Sequence, residues 1–193
     1  MYHLASRLLR KPEGEVTTQE ILSLAIKNDA MYTHKIMRVN YTSYDLRRCQ
    51  DSINPRTQAD IMLLNGENEE DLEHPFWFAR VCAIFHVNVL YGNNPPQLMH
   101  VVWVRWFGID YKHKYGIKHR RLPRIGFMED HNNPMGFVNP DDVIRGVHLL
   151  PGFAWGRTDA YLGASVARVP QAEGRRHARE DDDQDWLFYY VNM

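Results

Sequence analysis

Cysteine is nearly absent: Cys49 and Cys82 are the two in 193 residues, and no C-x-x-C pair occurs. A disulfide framework and a thiolate zinc site are thereby excluded. The chain also lacks a bias of charge, since 23 Lys and Arg stand against 24 Asp and Glu for a formal net charge of -1. Any affinity for nucleic acid must therefore come from a local patch. No apolar run approaches the roughly 18 residues of a membrane span, and residues 1–10 lack the apolar core of a secretory signal. The expectation is a soluble chain with no membrane partner and an intracellular location, the nucleus included. Missing too are a P-loop, a dinucleotide fingerprint and a helical His pair, and Ser165 in "GASVA" lacks the second glycine of a nucleophile elbow. No cofactor, no metal and no catalytic residue is expected from these motifs.

What is present is enough apolar surface for one core, with 44% hydrophobic and 12% aromatic residues. The N-terminus reads as helical over residues 1–30. "MYHLASRLLR" places Leu4, Leu8 and Leu9 on one helical face, and Thr17 three residues before Glu20 forms a capping box for a helix over about 18–28. From Met31 the pattern turns extended, so residues 31–193 are expected to form a single β-rich domain. A turn at Asn54 and Pro55 precedes a strand with Ala59, Ile61 and Leu63 on one face, and an acidic stretch from Glu67 to Glu73 reads as a surface loop. Residues 167–184 lack periodicity and read as a flexible insertion.

Residues 76–91, "FWFARVCAIFHVNVLY", carry the strongest pattern. Every second residue from Trp77 to Tyr91 is apolar or amphipathic, so one face should bury Trp77, Val81, Phe85, Val87 and Val89, and the other should hold Arg80 and His86. So long a strand is expected to bend or to carry a bulge. After "GNNPP" the segment "HVVWVRWF" reads as its hairpin partner. There Trp106 shares a face with Val102 and Val104. Trp103, Arg105 and Phe107 share the other, which Arg105 suggests is partly wet and open to aromatic recognition. The structural alternative has both tryptophans as packing residues, with Arg105 stacked or paired.

A basic stretch follows. Lys112, Lys114, Lys118, Arg120, Arg121 and Arg124 occur with no acid between them, and Tyr115 is interleaved. Cations grip phosphates and an aromatic ring stacks on bases, so these seven residues are the candidates for binding DNA or RNA. The bland alternative is a solvated hairpin loop. The ten histidines look scattered: His113 and His119 lie in the basic stretch, His86 on a strand and His148 before "LLP". A remote alternative, a metal-dependent nuclease, would need carboxylates such as Asp60, Glu129 and Asp130, because Asp181, Asp182 and Asp183 fall in the expected insertion.

The segments "RVNYTSYDLRRCQDSINPRTQADIMLL", "HPFWFARVCAIFHVNVLY", "VWVRWFGID", "LPRIGF", "VIRGVHLLPGF" and "FYYVNM", in this order, carry a resemblance over about Met31 to Met193. Together they resemble the uncharacterised C-terminal region of many large basidiomycete fungal proteins associated with Kyakuja, Dileera and Zisupton transposases. In that family the chain typically continues past the last strand. A weaker similarity of order and residue type links the chain to the bromo-adjacent homology (BAH) domain, a chromatin-reading β module. With the strand and helix patterns above, the BAH likeness implies a mainly β fold: a strongly bent antiparallel sheet or a small BAH-like barrel, with one or two short N-terminal helices. The fungal region brings no function with it; the basic stretch, with the aromatic cage that the BAH likeness implies, leads to the expectation of a non-catalytic nucleic-acid or chromatin-binding module of a transposon-related protein, with DNA, RNA, a histone tail or another protein as partner. A purely structural or protein-interaction domain is the alternative.

Overall fold

The computed structural model describes residues 1–65, 74–128, 134–158 and 185–192. The acidic stretch, Glu129, Asp130 and the whole of 167–184 lie outside these residues. The described chain is mainly β, with two short helices at its start: α1 (Tyr2–Leu9) and α2 (Thr18–Leu22). The capping box forms as the spacing requires, with Thr17 Oγ1 accepting from the Glu20 amide and the Glu20 carboxylate accepting from the Thr17 amide. Lys11 first, and these Thr17 contacts next, hold the Glu20 carboxyl down at about 2. Helix α2 ends six residues earlier than its pattern suggests, because Leu24 begins strand β1 (Leu24–His34). Burying Leu24 against Val87 and Val89 outweighs the local helical preference. Within β1 the register shifts between Ile26 and Met31, where Asn28 and Asp29 take left-handed backbone angles.

Strands β2 (Met37–Thr42) and β3 (Arg48–Ile53) form a separate hairpin, followed by β4 (Asp60–Leu64). Two long strands then dominate, β5 (Phe76–Tyr91) and β6 (Gln97–Ile109), paired antiparallel along almost their whole length. The other edge of β5 takes β4 at its start and β1 at its end. The other edge of β6 takes β7 (Arg124–Phe127) at one end and β8 (Met135–Val138) further along. Strands β9 (Val143–Gly146), β10 (His148–Pro151), β11 (Arg157–Thr158), β12 (Asp185–Trp186) and β13 (Tyr189–Asn192) complete the described residues. Asn139 caps the turn Pro140–Asp142 just before β9, its side-chain oxygen accepting from the Asp141 amide and Pro140 opening the turn.

The main sheet runs β10-β13-β7-β6-β5-β4-β9, and this hydrogen-bonded path is open rather than closed into a barrel. Its two end strands are nevertheless consecutive in the chain, separated by Val147 alone. One face carries Ile61, Leu63, Ala79, Val81, Val102, Val104 and Val143, and the β2–β3 hairpin packs Val39 and Ile53 onto it. The opposite face has two parts. Near β7 and β13 it carries Met62, Phe78, Phe107, Ile125, Phe127 and Tyr189; near the β5–β6 turn it carries Val87, Val89, Met99 and Val101 beneath α1. Among the described residues no helix is long and apolar enough to cross a membrane.

The bounds of β5 are those its alternation predicts, but the faces are not. A bulge falls between Val81 and Ala83, so that Val81 pairs with Val104 and Ala83 with Trp103. Cys82 is the extra residue, and each later side chain changes face. Val81 therefore lies under the hairpin, whereas Phe85, Val87 and Val89 share the opposite face with Arg80, and His86 stands on the Val81 side. Trp77 is exposed rather than buried, at 41%. The bulge also shields the Cys82 thiol, and burial pushes it up from 9.0 to about 11. At neutral pH about a hundredth of the usual thiolate is then present. Alkylation of Cys82 at neutral pH should then be at least about a hundredfold slower in the folded chain than in urea, as peptide mass spectrometry would read. Equal rates in the two states would show that the bulge does not shield it.

Candidate nucleic-acid interface

The basic stretch is an ordered excursion between β6 and β7. Asp110 anchors both ends: its carboxylate accepts from the Lys112 amide at 3.0 Å and from Arg124 Nε at 2.8 Å. A single bridge joins Gly116 to Arg121 across the turn Ile117–His119, and His113 Nε2 lies 3.2 Å from the Leu122 carbonyl. With its backbone so tied, the loop holds Lys112, Lys114, Lys118, Arg120 and Arg121 out in solvent.

The other two candidates are placed differently. Arg124 is buried, paired with Asp110, and its guanidinium lies 4.2 Å from the Trp155 ring and 4.6 Å from that of Phe188. It is a fixed part of the floor. Tyr115 is half-buried, with its ring 5.6 Å from that of His74. The stacking surface near these cations is Trp155 instead, a residue to which the sequence draws little attention. The turn Phe153–Trp155 sets it there, ended by Gly156 at φ 73°, an angle that glycine tolerates best. Trp155 remains 47% exposed beside Phe153 at 73%. Lys112, His113, Lys114, His119, Arg121, Arg124 and Trp155 surround an open concavity of about 490 Å³.

The expected aromatic-recognition face is resolved otherwise. Trp106 shares a face with Val102 and Val104 and packs against that core, and Trp103 shares the other with Arg105 and Phe107, as the alternation predicts. That second face is not wet. Arg105 is wholly buried, its guanidinium 4.1 Å from the Phe127 ring and 3.7 Å from an Asp185 carboxylate oxygen. Phe107 stacks on Phe127 and meets Tyr189 edge-on, so both are core residues, and Trp103 is half-buried. Arg80 fits the same box: Asp60 binds it through two oxygens at 2.7 and 3.1 Å, and it stands over Phe107, Phe127 and Tyr189. Burial opposes its charge, and the Asp60 carboxylate more than offsets this, holding the guanidinium protonated more firmly than usual. Asp60 is thereby committed to an internal ion pair rather than offered to a metal. Glu129, Asp130 and the three aspartates of 181–183 lie outside the described residues.

A different aromatic pocket does exist. Phe76, Trp77, Trp106, Phe107, Tyr111 and Met128 line a cavity of about 410 Å³, with Trp77 and Trp106 edge-to-face at 5.6 Å. The Trp106 indole lies so close to Gly136 that a Cβ there would come within 2.5 Å of Nε1. Comparison with protein families, curated proteins and solved structures returns no match.

Proposed function

We propose that the chain is a non-catalytic module that binds nucleic-acid backbones through the β6–β7 loop, with Trp155 as a stacking platform. The observation that carries this reading is the concavity in which Lys112, Lys114, His119 and Arg121 surround an exposed indole. Single strands are bound by this pairing of cations with a ring, without need of sequence readout. The guanidinium of Arg124 against Trp155 stiffens the platform and adds positive charge behind it. The weaker likeness to BAH domains, which read chromatin, is compatible with such a role.

A salt titration tests it. Wild-type protein should bind single-stranded DNA or RNA with an affinity that falls as salt rises, since each phosphate contact releases counterions. Changing Lys112, Lys114, Lys118, Arg120 and Arg121 together to Gln should flatten that dependence. Trp155→Ala should weaken binding by about tenfold or more, at one stacked base, and leave the salt slope in place. No binding by the wild type at low salt would defeat the proposal.

The aromatic pocket favours a second reading, a protein ligand such as a histone tail presenting an apolar or methylated side chain to Phe76, Trp77 and Trp106. In that case peptide binding should be lost in Trp77→Ala and persist in the charge-neutralised loop. Binding of neither ligand would leave a structural or protein-interaction domain.

A further inference from the structure

We infer that the outer half of the main sheet carries a zinc site formed by His34, His86 and His100. No sequence motif joins these residues; the strand register does. His86 and His100 are direct cross-strand partners in β5 and β6, and His34 ends the neighbouring β1, opposite Ile84. After the Cys82 bulge, His86 points to the same face as Ile84, so the three imidazoles meet above Ile84 and Val102 at the margin of the hairpin-covered core.

One nitrogen from each ring lies within 4.8 Å of the others. His34 Nε2 and His86 Nδ1 are 2.7 Å apart, close enough to share a proton. Zinc bound at about 2.0–2.1 Å from each of three imidazoles in a tetrahedron needs those nitrogens about 3.3 Å apart. Small rotations of surface side chains reach that spacing, and the three strands need not move. Tyr32, the cross-strand partner of His86, stacks on its ring at 4.8 Å and limits its swing.

The donor set is all imidazole, which suits zinc and its late first-row neighbours and gives no hold on magnesium or calcium. Neutral rings are the binding form, so zinc binding should weaken as the pH falls through the histidine range. Three protein ligands leave a fourth position, which faces solvent: Tyr32 and Leu98 beside it are 47% and 53% exposed. A water or a ligand oxygen would fill it, the arrangement of an open zinc site. This assignment is independent of the loop around Trp155.

The test is a Co2+ titration of the full chain, free of any affinity tag and stripped of metal, read by visible ligand-field absorption. One equivalent of Co2+ should give intense four-coordinate bands that Zn2+ abolishes. His86→Gln and His100→Gln should each weaken binding by about tenfold or more, and the double variant should show no saturable binding. His148→Gln, exposed on β10, should behave as wild type. Failure of the wild type to saturate at micromolar metal, or retention of binding by the double variant, overturns the assignment. Should the variants fold poorly by circular dichroism, imidazole 15N spectra of the wild type decide instead. One equivalent of Zn2+ must shift three ring systems that through-bond and through-space correlations in the wild type assign to His34, His86 and His100, and shifts confined to other histidines refute the site.

Discussion

Asp185→Ala should lower the stability of the chain by about 3–5 kcal/mol, among the largest effects open to a single substitution here. It removes the carboxylate that faces Arg105, a guanidinium to which water has no access. The aromatic face of Phe127 compensates in part, because cation–π contact in a dry site is worth about 2 kcal/mol. It does not replace a formal charge. Substituting both partners, as in Arg105→Met with Asp185→Leu, should cost less than the sum of the two single changes, since neither charge is then left without the other. Urea denaturation of the four proteins measures this coupling. A cost below about 1 kcal/mol for Asp185→Ala would mean a solvated pair, as exposed pairs are, and would return the Trp103 face to the wet surface that its arginine first suggests.

Phe107→Ala is the second large effect, about 3–5 kcal/mol, as for other core aromatics. The ring is 6% exposed, stacked at 4.4 Å on Phe127 and overlaid by the Arg80 guanidinium at 5.5 Å. Its removal opens a cavity and withdraws one wall from the box around Arg80. Trp103→Ala, four residues earlier on the same face but half-buried, should cost less, about 1–2 kcal/mol, in proportion to the smaller area it hides. Chemical denaturation of both variants decides between them. If Trp103→Ala costs as much as Phe107→Ala, Trp103 is a core residue too.

The ends of β5, the hairpin with β6 and the capped turn at Asn139 could all be read from local pattern, because alternation, turn residues and caps act over a few positions. The faces of β5 could not. Ala79, Val81, Ala83, Phe85 and Val87 continue an apolar alternation straight through Cys82, and both faces of the sheet are apolar there, so no polar residue marks the change of phase. Arg105 misleads for a related reason: its carboxylate comes from Asp185, on a strand far along the chain, and a single guanidinium says nothing of its distant partner. The basic loop was legible as charge, whereas its exposed ring arrives from the turn at Trp155, which only the tertiary fold brings near. The three histidines were half legible. A hairpin folded about "GNNPP" sets His86 opposite His100, and only His34 requires knowledge of which strand lies on the far edge of β5.

The bulge at Cys82 has a consequence for insertions and deletions as opposed to substitutions. Exchanging Cys82 for another small residue leaves the count of positions in β5 unchanged, and the sheet keeps its parity. Deleting one residue at this point would remove the phase change: Phe85, Val87 and Val89 would turn toward the face that now carries His86, and His86 would turn under α1. The outer half of the strand is thus committed by the number of residues that precede it more than by their identity. Variation in chain length that other β hairpins absorb in a turn would here invert what the helix covers and what the solvent meets.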